Sequence, residues 1–149
     1  MMRTAATPEL ELLKKFVGIW DTEGHVMSDP SGERIKFKGT DTYEWLPGGY
    51  FLLHRYEAIM PQGNITGIEI IGYNRESDTY SMYSFDSQGN ADVMEGRFEM
   101  DNWTFIGGSA LFSGGFGDGG KVFTGLWEKR SGKGADWQPW MEVSLNKVE

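Results

Sequence analysis

The sequence contains no cysteine, and this absence excludes several kinds of chemistry at once. Without thiols there is no disulfide framework, no thiolate metal site and no cysteine nucleophile. Histidine is nearly as scarce, with His25 and His54 alone in the chain. No His-x-His, His-Glu-x-x-His or calcium-loop spacing occurs, and we therefore expect no protein-held metal.

The sequence also has few basic residues and only short apolar runs. The 14 basic residues face 22 acidic ones, which gives a formal net charge of −8. An acidic chain repels phosphate backbones and no basic stripe is present, so a nucleic-acid partner is not expected. The longest apolar stretches are far too short to span a membrane, and Met1 to Leu13 has no signal-peptide pattern. We expect a cytoplasmic protein without a membrane partner.

Aromatic residues, by contrast, are abundant. Six Trp, nine Phe and six Tyr make up 14% of a chain of 149 residues. This length suits a single domain over residues 1–149, long enough to bury about two-thirds of its unfolded surface. Several rings must point inward, so a folded core is expected despite the 21 glycines.

One helix is predicted, over residues 7–17. Thr7 can cap it, Pro8 suits its first turn, apolar residues then recur at helical spacing, and Gly18 stops the run. No later stretch shows a sustained helical stripe. A sheet without a covering helix must close on itself or pack on another sheet, which predicts a barrel over residues 19–148.

From Ile19 onward, turn signals recur about every ten residues and separate segments of period two. Arg34 to Trp45, Ala91 to Met100 and Trp137 to Lys147 alternate apolar and polar residues. Tyr50 to Met60 is less regular and leaves Phe51 and Leu53 outside, whereas Ile65 to Tyr73 is apolar on both faces apart from Glu69. The predicted fold is all-β: an antiparallel meander barrel of about 8–10 strands with a short N-terminal helix, since parallel pairing needs longer crossovers.

The chain resembles the calycin group, which includes lipocalins, fatty-acid-binding proteins and nitrobindins, and within it an uncharacterised bacterial family known only as a domain of unknown function. The ordered matches are Phe16-Val17-Gly18-Ile19-Trp20, Ile71-Gly72-Tyr73-Asn74 leading into Tyr80, and Phe85-Asp86-Ser87-Gln88-Gly89. The resemblance implies a barrel with Trp20 as a structural plug at one end. It implies no reaction.

Nitrobindin-like barrels bind haem through a histidine late in the chain, and this sequence has none after His54. It also has Asp21-Thr22-Glu23-Gly24 where those proteins carry a glycine two residues after the tryptophan. Both departures argue against haem, and we expect no cofactor.

Inward-facing rings and methionines form a candidate ligand-binding set. These residues suit a pocket for a small hydrophobic or aromatic molecule, because such pockets are mostly apolar with a few polar anchors. The same residues could instead fill the barrel solidly. The predicted ligand-binding residues are Tyr43, Trp45, His54, Tyr56, Met94, Phe98, Trp103, Phe105 and Trp127.

Two further features have a structural and a functional interpretation. His54 is either a hydrogen-bonded core histidine or a weak candidate for a catalytic acid or base. The run from Gly107 to Gly120 has seven glycines in fourteen residues and is followed by another strand. It predicts a hairpin rather than a phosphate cradle, and a mobile lip over the barrel mouth is a further interpretation.

Three functional classes follow. The first and favoured class is a binding protein for a small hydrophobic or aromatic ligand. The second is a small enzyme that uses His54 as acid or base. The third is a self-associating protein, a homodimer for example, that meets its partner through Phe51, Leu53 and the doubly apolar segment 65–71.

Overall fold

A computed structural model describes residues 7–27 and 32–149 as one helix followed by ten strands. The sequence also predicts a turn at residues 28–32, most of which lie outside the described residues. The elements in chain order are α1 (Pro8–Lys14), β1 (Gly18–Val26), β2 (Ile35–Trp45), β3 (Phe51–Met60), β4 (Gly63–Asn74), β5 (Thr79–Asp86), β6 (Ala91–Glu99), β7 (Asn102–Ile106), β8 (Ala110–Gly117), a short 3₁₀ turn (Asp118–Gly120), β9 (Val122–Lys129) and β10 (Gln138–Lys147).

The strands form a closed antiparallel barrel. Each strand pairs with the next along the chain, and β10 returns to pair with β1, where Trp20 lies opposite Lys147. The predicted fold class, an all-β antiparallel meander barrel with a short N-terminal helix, is therefore confirmed. Closure leaves no free sheet edge, which is why the fold needs no covering helix. In the described part of the chain, no helix is long and apolar enough to cross a membrane.

The helix is shorter than the predicted span of 7–17. Thr7 caps it by accepting a hydrogen bond from the Leu10 backbone N–H at 3.2 Å, as expected, but the helix ends at Lys14. After that the backbone tightens, because Phe16 N–H bonds the Leu13 carbonyl and the next N–H bonds the Lys14 carbonyl. This tight turn directs the Phe16 ring into the barrel.

Phe16 and Trp20 close the helical end of the barrel together. Trp20 is 0% exposed, and its indole N–H donates to the Phe16 carbonyl at 2.8 Å. The Phe16 ring lies 5.1 Å from Tyr43 and 5.6 Å from Trp103, in tilted arrangements that aromatic pairs favour. The closed end therefore depends on a helix residue as well as on the tryptophan of the first strand.

Several inward-facing glycines lie beneath an aromatic ring of a neighbouring strand. A methyl group added at Gly67 would meet the Tyr56 ring within 2.5 Å, and one at Gly96 would meet Phe105 within 2.4 Å. The rings can lie flat against the barrel wall only because these positions have no side chain. Glycine here makes room for aromatic side chains.

One expectation about side-chain placement is wrong. Phe51 is 49% exposed as expected, but Leu53 is only 8% exposed. Leu53 points outward, and its partners in register are Glu44 on β2 and Ile70 on β4. Cross-strand neighbours lie close enough for their side chains to cover part of an outward-facing leucine. Within the glycine run, Gly114 to Gly117 lie inside strand β8, in keeping with the predicted hairpin.

Candidate functional site

The barrel encloses a cavity of about 560 Å³ that opens at the end opposite α1. Phe16 lies at its inner end. Its rim includes Asn90 before β6, Ser109 before β8 and Arg130 after β9, positions that the up-and-down topology places at the end away from the helix. The volume lies in the range of known small-molecule pockets.

The predicted ligand-binding residues fall into two groups according to their position along the barrel axis. Six of the nine line the cavity: Tyr43, His54, Tyr56, Met94, Phe105 and Trp127. The other three, Trp45, Phe98 and Trp103, pack in or against the core near the closed end and do not line it. Trp103, for example, is 1% exposed and stacks on Phe105 at 5.7 Å.

The glycine run also divides between the two ends. Gly107 and Gly108 connect β7 to β8 at the open end, where adjacent Ser109 lines the cavity. Asp118 to Gly120 connect β8 to β9 at the closed end. Only the first part is therefore placed to act as a lip over the mouth.

Three titratable side chains meet on the cavity wall: buried His54 of β3, with half-buried Asp41 of β2 and Glu69 of β4 on either side of it. His54 Nε2 lies 2.6 Å from Asp41 Oδ2, and His54 Nδ1 lies 2.6 Å from Glu69 Oε1. Asp41 also accepts a hydrogen bond from the Thr22 hydroxyl through its other oxygen, Oδ1. The imidazole is thus held between two carboxylates by the register of three adjacent strands.

The two carboxylates determine the protonation state of His54. Burial alone would lower the pKa of the imidazole, but the negative charge of Glu69 and the hydrogen bonds with Asp41 and Glu69 outweigh it and raise the pKa to about 9. At neutral pH His54 is therefore an imidazolium that donates from both ring nitrogens. Neither nitrogen is free to accept a proton from a substrate.

Two tyrosines flank this cluster. The Tyr43 ring stacks on His54 with centroids 4.0 Å apart and planes 8° apart, and Tyr56 lies 5.7 Å from His54 in a tilted arrangement. Burial and the nearby carboxylates raise the pKa of both hydroxyls above the usual tyrosine value. Both tyrosines therefore stay protonated around neutral pH and present neutral hydroxyls beside the imidazolium.

Asp41 and Glu69 were not among the predicted site residues, although the sequence carries a signal for each. Asp41 shares the odd parity of Phe37 and Tyr43, the inward residues of its strand. Glu69 is the single charge in an otherwise apolar segment. A charged residue in phase with an apolar face marks a buried polar position.

A family model described as "Protein of unknown function (DUF1579)" matches residues 5–114, well over half of the chain. The chain belongs to the DUF1579 family. No curated protein matches the sequence.

Solved structures similar to this DUF1579 chain share its fold at low sequence identity. The crystal structure of Rv2717c from M. tuberculosis has a TM-score of 0.72 at 12% identity, over 97% of this chain and all of that one. The S-type phycobiliprotein lyase CPES from Guillardia theta has a TM-score of 0.55 at 8% identity, over 93% and 92% of the chains. A de novo designed fluorescence-activating β-barrel has a TM-score of 0.50 at 12% identity, over 90% and 94%. The expected resemblance to lipocalin-like barrels is confirmed at the level of fold.

The mouth of the DUF1579 barrel carries paired cations and tryptophans. The Lys129 ammonium lies 5.6 Å from the centre of the Trp140 ring, and the Arg130 guanidinium lies 4.2 Å from that of Trp137. Arg130 also donates to the Gly108 carbonyl at 2.9 Å. Both cations therefore already have partners at the rim.

Proposed function

We propose that this protein binds a small, mostly apolar or aromatic molecule inside its barrel. The observation that carries the proposal is the cavity of about 560 Å³, walled largely by rings and methionines and provided with the polar cluster of Asp41, His54 and Glu69. A barrel that served packing alone would fill this volume, because protein interiors are close-packed and large voids cost stability. Similar folds belong to a phycobiliprotein lyase and a fluorescence-activating design, which is compatible with a ligand inside the barrel.

A neutral fluorescent dye, N-phenyl-1-naphthylamine, tests the proposal. We expect its emission to rise when it enters the barrel of the wild-type protein. Met94→Trp should abolish the rise by filling the cavity, whereas Val93→Trp, on the outer face of the same strand, should preserve it. Met82→Phe is a milder second filling variant, and thermal melting shows that each variant is folded. Equal dye binding by the wild type and both filling variants would contradict the proposal.

The geometry gives less support to an enzyme that uses His54 as a base. The carboxylates expected of such a site are present, but they occupy both ring nitrogens. A general base must reach the proton it removes with a free lone pair. In the favoured function, His54 and its two partners form the polar anchor of a binding cavity.

Self-association is a second candidate, favoured by an apolar area on the outer face of β3 to β6. Ile70, Tyr83 and Val93 lie side by side across three strands, and Ile68 is in register with Phe85. Tyr83, Phe85 and Val93 are 45%, 49% and 56% exposed. Contiguous exposed apolar surface of this kind commonly marks an interface.

The occupant that fits this outer face is a second copy of the chain. The apolar centre carries no charge, so two chains of net charge −8 can approach there with least repulsion. Arg55 borders the area on β3 and Glu95 borders it on β6. A two-fold axis can lie in the interface at right angles to the line from Arg55 to Glu95. It then places Arg55 of one copy beside Glu95 of the other, and Glu95 of the first beside Arg55 of the second.

Sedimentation velocity at high protein concentration tests the dimer. We expect Val93→Glu to convert a dimer to a monomer, because it places a charge in the apolar centre. Val148→Glu is the matched control, since Val148 is equally exposed at 56% but lies at the end of β10, away from the apolar area. A monomeric wild-type protein would exclude this candidate.

A further inference from the structure

The charged side chains on the inner face of this barrel are mostly acidic. Four carboxylates of inward parity line the cavity: Asp41 and Glu69 on the wall, and Asp86 and Asp92 near the mouth. Apart from His54, the cationic side chains that line it in the described part of the chain are Lys129 and Arg130, both at the rim and both paired with tryptophan rings. The interior wall therefore offers no lysine or arginine to the head group of an anionic ligand such as a carboxylate.

We propose that the bound molecule carries a cationic head, an amine or amidinium, on an apolar or aromatic body, and that this head contacts the cluster of Asp41, His54 and Glu69. This inference rests on the proposed function of the barrel as a binding site. It specifies the chemical class of the ligand and the end of the ligand that lies deepest.

The first argument comes from the charge of the cluster. One imidazole, which can carry a single positive charge, lies between two carboxylates, so the acidic groups of the cluster outnumber the basic one. The Asp41 and Glu69 side chains are each only 13% exposed. An unbalanced charge in so poorly solvated a place is costly, and a cationic head would balance it.

The second argument comes from the unused hydrogen-bonding capacity of Glu69. Its Oε1 is 2.6 Å from His54, whereas its Oε2 has no hydrogen-bond partner among residues 7–27 and 32–149. Every fully buried side-chain oxygen in those residues has a hydrogen-bond partner. Since Oε2 has none, it is not fully buried, and we infer that it is open to the cavity that Glu69 lines. A carboxylate oxygen can only accept a hydrogen bond, so a ligand head that contacts this oxygen must offer a donor.

The third argument comes from the rings beside the cluster. Tyr43 and Tyr56 lie next to His54, with centroids 4.0 and 5.7 Å from the imidazole. Tyrosine rings attract cations over their faces and accommodate flat apolar groups. Their neutral hydroxyls add hydrogen-bonding groups without adding positive charge that would recruit an anion.

A matched set of three compounds separates the head groups. 1-Naphthylmethylamine is a cation at neutral pH, 1-naphthylmethanol is neutral and 1-naphthoate is an anion, while the aromatic body is the same. Isothermal titration calorimetry should show the amine binding about tenfold or more tightly than the naphthoate, the factor expected from one charge-assisted hydrogen bond.

Substitutions then locate the head group. Glu69→Gln keeps a side chain of the same shape but removes its charge, and it should weaken binding of the amine about tenfold while leaving the alcohol nearly unchanged. Asp41→Asn should act in the same direction. Glu44→Gln, an exposed carboxylate on the outside of β2, should leave all three affinities unchanged. Thermal melting establishes that each variant is folded.

The outcomes distinguish this inference from the proposed function beneath it. Tighter binding of naphthoate than of the amine, or no loss of amine affinity in Glu69→Gln and Asp41→Asn, overturns the head-group inference and leaves a ligand-binding barrel. Failure of all three compounds in a protein that still binds N-phenyl-1-naphthylamine has the same meaning. Failure of all three compounds and of the dye removes the proposed function as well.

Discussion

Raising the pH should remove a large stabilising contribution that depends on the proton of His54. Glu69 and Asp41 hold this proton, and they raise the pKa of the imidazole from 6.5 to about 9. Because the folded pKa lies above the unfolded one, the folded chain binds the proton more tightly. The contribution is therefore complete below pH 6.5, falls as the pH rises from there, and is lost above about pH 9.

The size of the effect follows from the shift. Each pKa unit corresponds to 1.36 kcal/mol, so the change from 6.5 to about 9 is equivalent to about 3 kcal/mol in the free energy of unfolding. Domains of this kind are stable by roughly 5–15 kcal/mol in total. Deprotonation of one side chain should thus lower the stability by a substantial fraction.

Two measurements check this prediction. Urea unfolding at intervals from pH 6 to pH 10 gives the stability profile, and subtraction of the His54→Gln profile removes the contribution of other titrating groups. NMR of the imidazole nitrogens gives the pKa of His54 directly, and a His25→Gln variant assigns the signals because the chain has two histidines. A His54 pKa below 7, or a difference profile that stays flat between pH 6.5 and 9, would refute the reasoning.

Two substitution pairs test the packing. Gly67→Ala should cost about 1–3 kcal/mol of unfolding free energy, because the added methyl meets the Tyr56 ring and a backbone carbonyl. Gly108→Ala should be nearly neutral because nothing lies close to that position. Equal urea midpoints for the two variants would contradict this prediction. Leu52→Ala should cost about 2–5 kcal/mol of unfolding free energy, because Leu52 is 0% exposed. Phe51→Ala should cost much less, because the neighbouring Phe51 is half exposed. Thermal melting that ranks the two variants in the reverse order would show that the inner and outer faces of β3 are misassigned.

The errors in the sequence-based predictions have a common physical origin. Period two assigns each residue to a face of its strand, and it placed Trp45, Phe98 and Trp103 on the inner side. It carries no information on height along the barrel axis, so it could not separate rings at the closed end from rings that line the cavity. Leu53 shows the converse error, since an outward residue can still be covered by its cross-strand neighbours.

The sequence by itself determined that the chain is an antiparallel sheet that must close on itself or pack on another sheet, and it favoured closure. Segments of period two, one short helix and regularly spaced turns leave a sheet without a cover, and closure is the way such a sheet satisfies its edges. The same periodicity predicted that Tyr43, His54 and Tyr56 face inward, which agrees with their position on the cavity wall.

Only the tertiary structure decided what His54 touches. Tyr43 and Glu69 are its direct partners in register on β2 and β4, and Asp41 lies two residues from Tyr43 along β2. A shift of either pairing by two residues would preserve every inward-facing side chain and still change which side chains lie opposite the imidazole. Register depends on the turns and on the fit of all ten strands at closure, so no single strand encodes it.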